Sequence, residues 1–321
     1  MCSSKIENGK EKIMNKFIKV LAASSLIATA LVGCGGESKS AAAYTKVGLG
    51  IVSTLSDDGQ VNTTMAALGL DKDGKIAYID IDVAQSTPGG DEKSQLDKTK
   101  KERGADYAMK EASPIKKEWN EQAEAFEAWA KGKTPDEVAK VETMDFHGGK
   151  AAKEGTDLAA GCTITIDEFL EAVAKAASSA ETVDAAKIGI GDVMSNNAED
   201  KKLDTTIALV ATDADGKVVY SNLDVAQIYK KDGTAITKSK KELQGDYAMK
   251  EASPIKKEWF EQGKAFEDWA KTKTADEIAK VETMDFHGGK AAKEGTDLAA
   301  GCTMTIDDFL AAYAEAFAAA K

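Results

Sequence analysis

The chain repeats itself at a spacing of 140 residues. Residues 106–119, DYAMKEASPIKKEW, recur unchanged at 246–259, and residues 139–163, AKVETMDFHGGKAAKEGTDLAAGCT, recur at 279–303. The repeating units of solenoids are much shorter, roughly 20–50 residues, so a period this long is a whole domain. The chain therefore reads as two copies of one fold. Their amino-terminal parts agree more loosely: KVGLGIVST at 46–54 faces KIGIGDVMS at 187–195. Such close agreement elsewhere marks a recent duplication, so identity between the copies is a weak guide to which residues matter.

Within one copy the pattern begins with strands. Lys46–Thr54, Thr63–Leu70 and Lys75–Gln85 are rich in β-branched and aliphatic residues, and Asp71-Lys72-Asp73-Gly74 between the last two carries a hairpin signal. Asp213-Ala214-Asp215-Gly216 repeats it. These aspartates have part of a calcium loop's spacing but lack its later ligands, including the bidentate glutamate, so they read as turns. A helix is expected from Ser113-Pro114, with Ser as N-cap, Pro in the first turn, and Ile115, Trp119, Ala123, Phe126 and Ala130 on one face. A short helix should follow over 135–141. A third should start after Thr165, where Thr165-Ile166-Asp167-Glu168 has the capping-box pattern, and carry Phe169, Leu170 and Val173 inward. Strands first and helices after indicate an α+β fold: two tandem copies of a small domain with an antiparallel sheet and packed helices.

The amino terminus reads as a processing signal. From Met14 the sequence runs MNKFIKVLAASSLIATALVGCGG, with Lys16 and Lys19 ahead of an apolar stretch over 20–32. A membrane-spanning helix needs about 20 apolar residues, so this run is too short to span and fits a secretory signal core. Leu31-Val32-Gly33-Cys34 resembles the lipobox of bacterial lipoproteins, which implies a lipid on the Cys34 thiol, cleavage just before it, and a place on the outer face of the cell membrane. The polar residues 1–13 match neither signal nor domain and fit a start at Met14, which would leave Cys2 outside the protein. The expected organisation is an upstream extension and signal peptide over 1–33, lipidated Cys34 and a flexible stalk over 34–44, a first domain over 45–179, a linker over 180–186 and a second domain over 187–321.

Charge excludes one class of partner. Taking the five lysines and two glutamates of residues 1–34 from totals of 42 basic and 54 acidic residues leaves 37 and 52, a net charge near −15. Nucleic acid binding needs a basic footprint, and none is visible. Past Cys34 only Cys162 and Cys302 remain; a bridge between them is possible but not implied, and two cysteines make no disulfide framework.

Function rests on Asp157-Leu158-Ala159-Ala160-Gly161-Cys162-Thr163 and its twin, Asp297 to Thr303 through Gly301 and Cys302. This run resembles the flavinylation motif of the FMN-binding domain family, usually Asp-x-x-Ser/Thr-Gly-Ala-Thr/Ser. Asp, Gly and Thr keep their spacing. Ala160 stands where Ser or Thr is usual, and Cys162 where Ala is usual. The family includes subunits of sodium-pumping membrane oxidoreductases and lipoproteins of Gram-positive extracellular electron transfer. The resemblance implies that a flavin transferase joins FMN, through its phosphate, to the hydroxyls of Thr163 and Thr303, giving two covalent FMN per chain. It also implies a membrane quinol dehydrogenase as electron donor, and ferric iron or soluble flavin or quinone shuttles as acceptors.

The residues themselves bear on that expectation. Glycine two positions before the threonine removes bulk. Small residues at 159, 160 and 162 are expected to leave room for the flavin, and the following helix to offer its N-terminus to a phosphate. The protein would then be a redox carrier more than a stand-alone enzyme. Trp119 and Trp129 could stack on a flavin, but at helical spacing they read as core. Met144 and His147, with His287 as the second histidine, are too few for haem or copper without a Cys-x-x-Cys-His motif. Cys162 reads as packing more than as a redox thiol. The alternative is a cofactor-free surface lipoprotein that binds a solute or protein, with possible release of a signalling peptide from the leader.

Overall fold

The computed structural model describes residues 43–321. The leader, Cys34 and most of the stalk lie outside the described residues. The fold is mixed α+β with antiparallel sheets.

In the first half, strands β1 (Tyr44–Leu55), β2 (Val61–Leu70) and β3 (Ile76–Ser86) form an antiparallel meander. The Asp71–Gly74 segment closes the β2–β3 hairpin as expected. Asp71 Oδ1 accepts from the N–H groups of Asp73 and Lys75, both at 2.9 Å, and Gly74 takes φ +74°. That carboxylate is thus committed to its own turn. Beyond β3 come α1 (Lys100–Arg103), α2 (Trp119–Ala130), α3 (Pro135–Val138), a small hairpin of β4 (Thr143–Phe146) and β5 (Gly149–Ala152), then α4 (Asp167–Ser178). The 180–186 stretch is not a free linker: β6 (Glu181–Ala185) pairs antiparallel with β1 and makes the first sheet four-stranded, in the order β3-β2-β1-β6.

The second half builds the same order. β7 (Lys187–Asn197), β8 (Lys202–Thr212), β9 (Val218–Lys231) and the short β10 (Thr234–Ile236) form its sheet. Helices α5 (Lys240–Leu243), α6 (Trp259–Ala270) and α7 (Ala275–Ala279), the hairpin β11 (Thr283–Phe286) with β12 (Gly289–Ala292), and α8 (Asp307–Ala319) follow. After α8, Lys321 exchanges two 3.1 Å backbone hydrogen bonds with Ile188 of β7, in the place that β6 takes beside β1.

Two expected helix starts are displaced. α2 begins at Trp119, because Lys116 lies in the left-handed region at φ +53° and breaks any helix from Ser113-Pro114. Glu118 caps it, in a reciprocal box with Glu121. α4 is capped at Ile166, not Thr165: Thr165 is exposed and bridges Ala151, and Asp167 accepts the Lys150 N–H at 2.5 Å. Glu168 faces the sheet, accepting from Thr64 Oγ1 at 2.7 Å. The short α3 starts at Pro135 as expected, where Thr134 and Glu137 form a capping box, but it ends at Val138 and not at 141.

The two sheets lie face to face. Alternation along β2 splits its side chains: Ala66, Leu68 and Leu70 meet the helices, while Val61, Met65 and Ala67 meet the other sheet. β8 does the same, sending Ala208 and Val210 to its own helices and Leu203, Ile207 and Leu209 to the shared core. The result is four layers, helices–sheet–sheet–helices, with three apolar cores. A polar latch crosses the same boundary: Ser86 donates to Asn196 at 2.7 Å, and Asn196 donates to the Leu96 carbonyl at 2.5 Å. Among the described residues no helix is long and apolar enough to cross a membrane.

Candidate functional site

In each half the loop that ends in the repeated threonine lies against the long helix that follows Glu118 or Glu258. α2 packs its Trp119–Phe126 face into the outer core, and the loop 153–166 lies against it. Leu158 anchors that loop: its side chain is buried, and its carbonyl accepts the N–H groups of Gly161 at 3.0 Å and Cys162 at 2.8 Å. Thr156 starts the turn, with its hydroxyl on the Lys153 carbonyl at 2.7 Å. The loop is thereby held by its own backbone before it reaches Thr163.

Gly161 is required by contact, not by conformation. A Cβ on it would stand 2.8 Å from the Ala125 Cβ of α2, and on Gly301 2.7 Å from that of Ala265. The glycine lets the loop touch the helix. The bulk it removes, as expected, is taken up by the Ala125 side chain. Cys162 points the same way. It is fully buried in the helix–sheet core, and burial pushes its thiol up to about 12. Cys302 is equally buried, with its thiol pushed up to about 11. Both are free and lie in separate outer cores, so no disulfide joins them. Such thiols are packing groups with little thiolate character. Asp157 and Asp297 are exposed, as is Ala160, while Thr163 and Thr303 are half-buried.

A residue unmarked in the sequence reading organises the site. Gln122, fully buried on the apolar face of α2, accepts both the Thr163 N–H at 2.9 Å and the Thr163 hydroxyl at 3.1 Å through Oε1. Its Nε2 donates to Ser113 Oγ at 3.1 Å and to the Lys117 carbonyl at 3.2 Å. Gln262 repeats the set with Thr303 at 2.9 and 3.2 Å, Ser253 at 2.9 Å and the Lys257 carbonyl at 3.2 Å. The signal in the sequence was a glutamine inside an apolar stripe, between Trp119 and Phe126. Ser113, expected as a helix cap, serves this amide instead.

Charge around the threonine also differs from expectation. The first turn of α4 already carries Asp167 and Glu168, which compete with any phosphate for the helix N-terminus. The nearby cation is Lys117, whose Nζ lies 4.0 Å from the position of a Cβ on Gly161. Its field, like that of Lys257 in the second half, reaches the neighbouring cysteine and acts to lower its thiol against the larger effect of burial.

Other sequence candidates fall elsewhere. Trp119 is core, edge-on to Phe169 at 5.8 Å, and Trp129 packs on Phe126 at 5.7 Å beneath Lys133. His147 and His287 occupy the β4–β5 and β11–β12 turns at φ +45° and +46°, each against the preceding phenylalanine. Among the described residues no group of three or more His, Cys, Asp or Glu is placed to hold a metal ion.

No family model, curated protein or solved structure matches this chain.

Proposed function

We propose that this protein is an exported, lipid-anchored electron carrier made of two tandem copies of one domain, with one FMN esterified to Thr163 and one to Thr303. The observation that carries the reading is the doubled Asp-x-x-x-Gly-x-Thr loop, in which each threonine presents a half-buried hydroxyl held at a fixed point. The donor set fits a phosphate ester: a hydroxyl that donates to Gln122 and accepts from no donor among the described residues, and a lysine at the glycine two residues before it. Lys117 and Lys257 supply the cationic field that the acidic first turns of α4 and α8 do not. The flavin, when bound, supplies the redox chemistry. This chain supplies attachment, so that the cofactor is not lost by dilution outside the cell.

In this reading Cys34 is the lipid anchor and residues 35–43 the stalk. Electrons enter from a membrane quinol dehydrogenase and leave to ferric iron or soluble shuttles, with a flavin transferase as the maturation partner.

Intact-mass spectrometry of the mature protein, co-expressed with a flavin transferase and followed by peptide mapping, tests this directly. Two FMN increments on the peptides of Thr163 and Thr303, each lost in Thr163→Val and Thr303→Val, are expected. An unmodified mass, with the transferase active on a control substrate, overturns the reading and leaves a binding lipoprotein.

A further inference from the structure

We infer that Gln122 and Gln262 are positioning residues for the flavin-acceptor hydroxyls, holding the proton of Thr163 or Thr303 inward and its lone pairs outward. The inference rests on the carrier reading above.

The orientation of each amide follows from groups whose polarity is not in doubt. The Thr163 N–H only donates, so the Gln122 atom it meets at 2.9 Å is Oε1. The Lys117 carbonyl only accepts, so the atom at 3.2 Å from it is Nε2. The amide is then saturated: two donations go to Ser113 and Lys117, and two acceptances come from the N–H and O–H of Thr163. Because Oε1 cannot donate, the Thr163 hydroxyl must, and both its lone pairs are left for a reacting partner. Without this bond the hydroxyl proton would swing among staggered positions and the side chain among rotamers. With the backbone N–H and the hydroxyl on one oxygen, main chain and side chain are fixed together.

The attachment step then divides between two proteins. The Thr163 oxygen attacks the phosphorus of an FMN phosphoanhydride; its O–P bond forms as the anhydride P–O bond breaks and the nucleotide phosphate leaves. Nothing is oxidised or reduced. A neutral carboxamide is no base, so Gln122 orients the hydroxyl but does not take its proton. That proton stays on the Thr163 oxygen, against Gln122, while the outward lone pair forms the O–P bond; bond formation makes it acidic, and it then leaves Gln122 for a base of the transferase or for water at the solvent edge.

Gln122→Met keeps the volume and removes the acceptor. Wild type and variant are loaded by the transferase, and FMN at Thr163 and Thr303 is followed separately on their peptides. The expected result is a fall in kcat at Thr163 of roughly 10- to 100-fold, the size of effect that small misplacement of a reacting group produces. KM for the protein should be unchanged and Thr303 should load normally. Gln262→Met gives the mirror image. Amide exchange at Thr163 should quicken in Gln122→Met, with that at Thr303 unaltered. Equal loading of Thr163 in wild type and Gln122→Met overturns the inference alone. A parallel fall at both threonines also overturns it, because it marks general destabilisation. A wild-type chain that takes up no FMN overturns the carrier reading and this inference with it.

Discussion

Gly48 lies so close beneath α4 that a Cβ on it would stand 1.9 Å from the carbonyl oxygen of Ala176. Gly50 meets Ala172 at the same 1.9 Å, and Gly189 and Gly191 meet Ala316 and Ala312 at 1.9 and 2.2 Å. These paired glycines let a helix backbone rest directly on a strand. Gly48→Ala is expected to cost about 3 kcal/mol, since backbone must move to admit the methyl group. Urea unfolding measures it. Gly74→Ala is the control, with open space around it and only its φ of +74° at stake; its expected cost is about 1 kcal/mol.

The core shared by both sheets predicts that the halves unfold together. Ile207 is fully buried between the sheets, and Ile207→Ala should cost about 3 kcal/mol through lost burial and a cavity. Fluorescence of variants that keep only Trp119 and Trp129, or only Trp259 and Trp269, should give coincident midpoints. Separate midpoints would show that the sheet–sheet core does not couple the halves.

Asp82 and Asp224 set a pH dependence. Burial raises each carboxyl to about 6, outweighing the help of Thr99 and the Lys101 N–H, or of Lys241 and Ser239. An acid that binds its proton more tightly when folded stabilises the protein below its unfolded pKa of 3.8, and that stability is lost as pH rises through about 6. The loss is on the order of 3 kcal/mol per group. Asp82→Asn mimics the protonated carboxyl and should flatten the fall in melting temperature between those pH values. An unchanged profile in the double variant with Asp224→Asn would refute the assignment.

Lys101 holds two carboxylates, Asp80 and Glu127, each at 2.5 Å, whereas Lys241 holds Glu267 at 2.5 Å and the neutral Asn222 at 2.6 Å. Lys101→Met strands two partly buried charges and should cost about 4 kcal/mol near neutral pH. Lys241→Met strands one and should cost less. Chemical denaturation of the two single variants decides the order.

Gly161→Ala presses a methyl group on Ala125 and should cost about 2 kcal/mol while lifting the threonine loop from α2. Ala125→Gly in the same chain should recover part of that, short by about 1 kcal/mol for a glycine inside a helix. No recovery in a thermal melt would mean that the contact is not the reason for the glycine.

Much of the fold was legible where local chemistry decides structure. The Asp-Gly turn, the short helix from Pro135 and the apolar stripe from Trp119 to Ala130 are short-range signals, and the elements follow them. What escaped is long-range. Ser113-Pro114 has the composition of a helix start, yet its hydroxyl is used by Gln122, nine residues on, and Lys116 turns the chain. The small polar run at 180–186 reads as a linker because β6 is chosen by the open edge of β1, not by its own residues. β2, VNTTMAALGL, is buried on both faces, and its second face is covered by residues more than a hundred positions away, which no local pattern announces. At the site, the motif threonines were marked by sequence; their support was not, since Gln122 is linked to Thr163 only through tertiary contact.

The four-layer order has a consequence for any circuit built on this chain. Gln122 and Gln262 sit in the two outer helical layers, so the threonines they hold are separated by both sheets, at layer spacings of roughly 10 Å each. Groups carried on Thr163 and Thr303 therefore cannot pass charge to one another at close range. They would act in parallel, as two terminals on opposite outer layers.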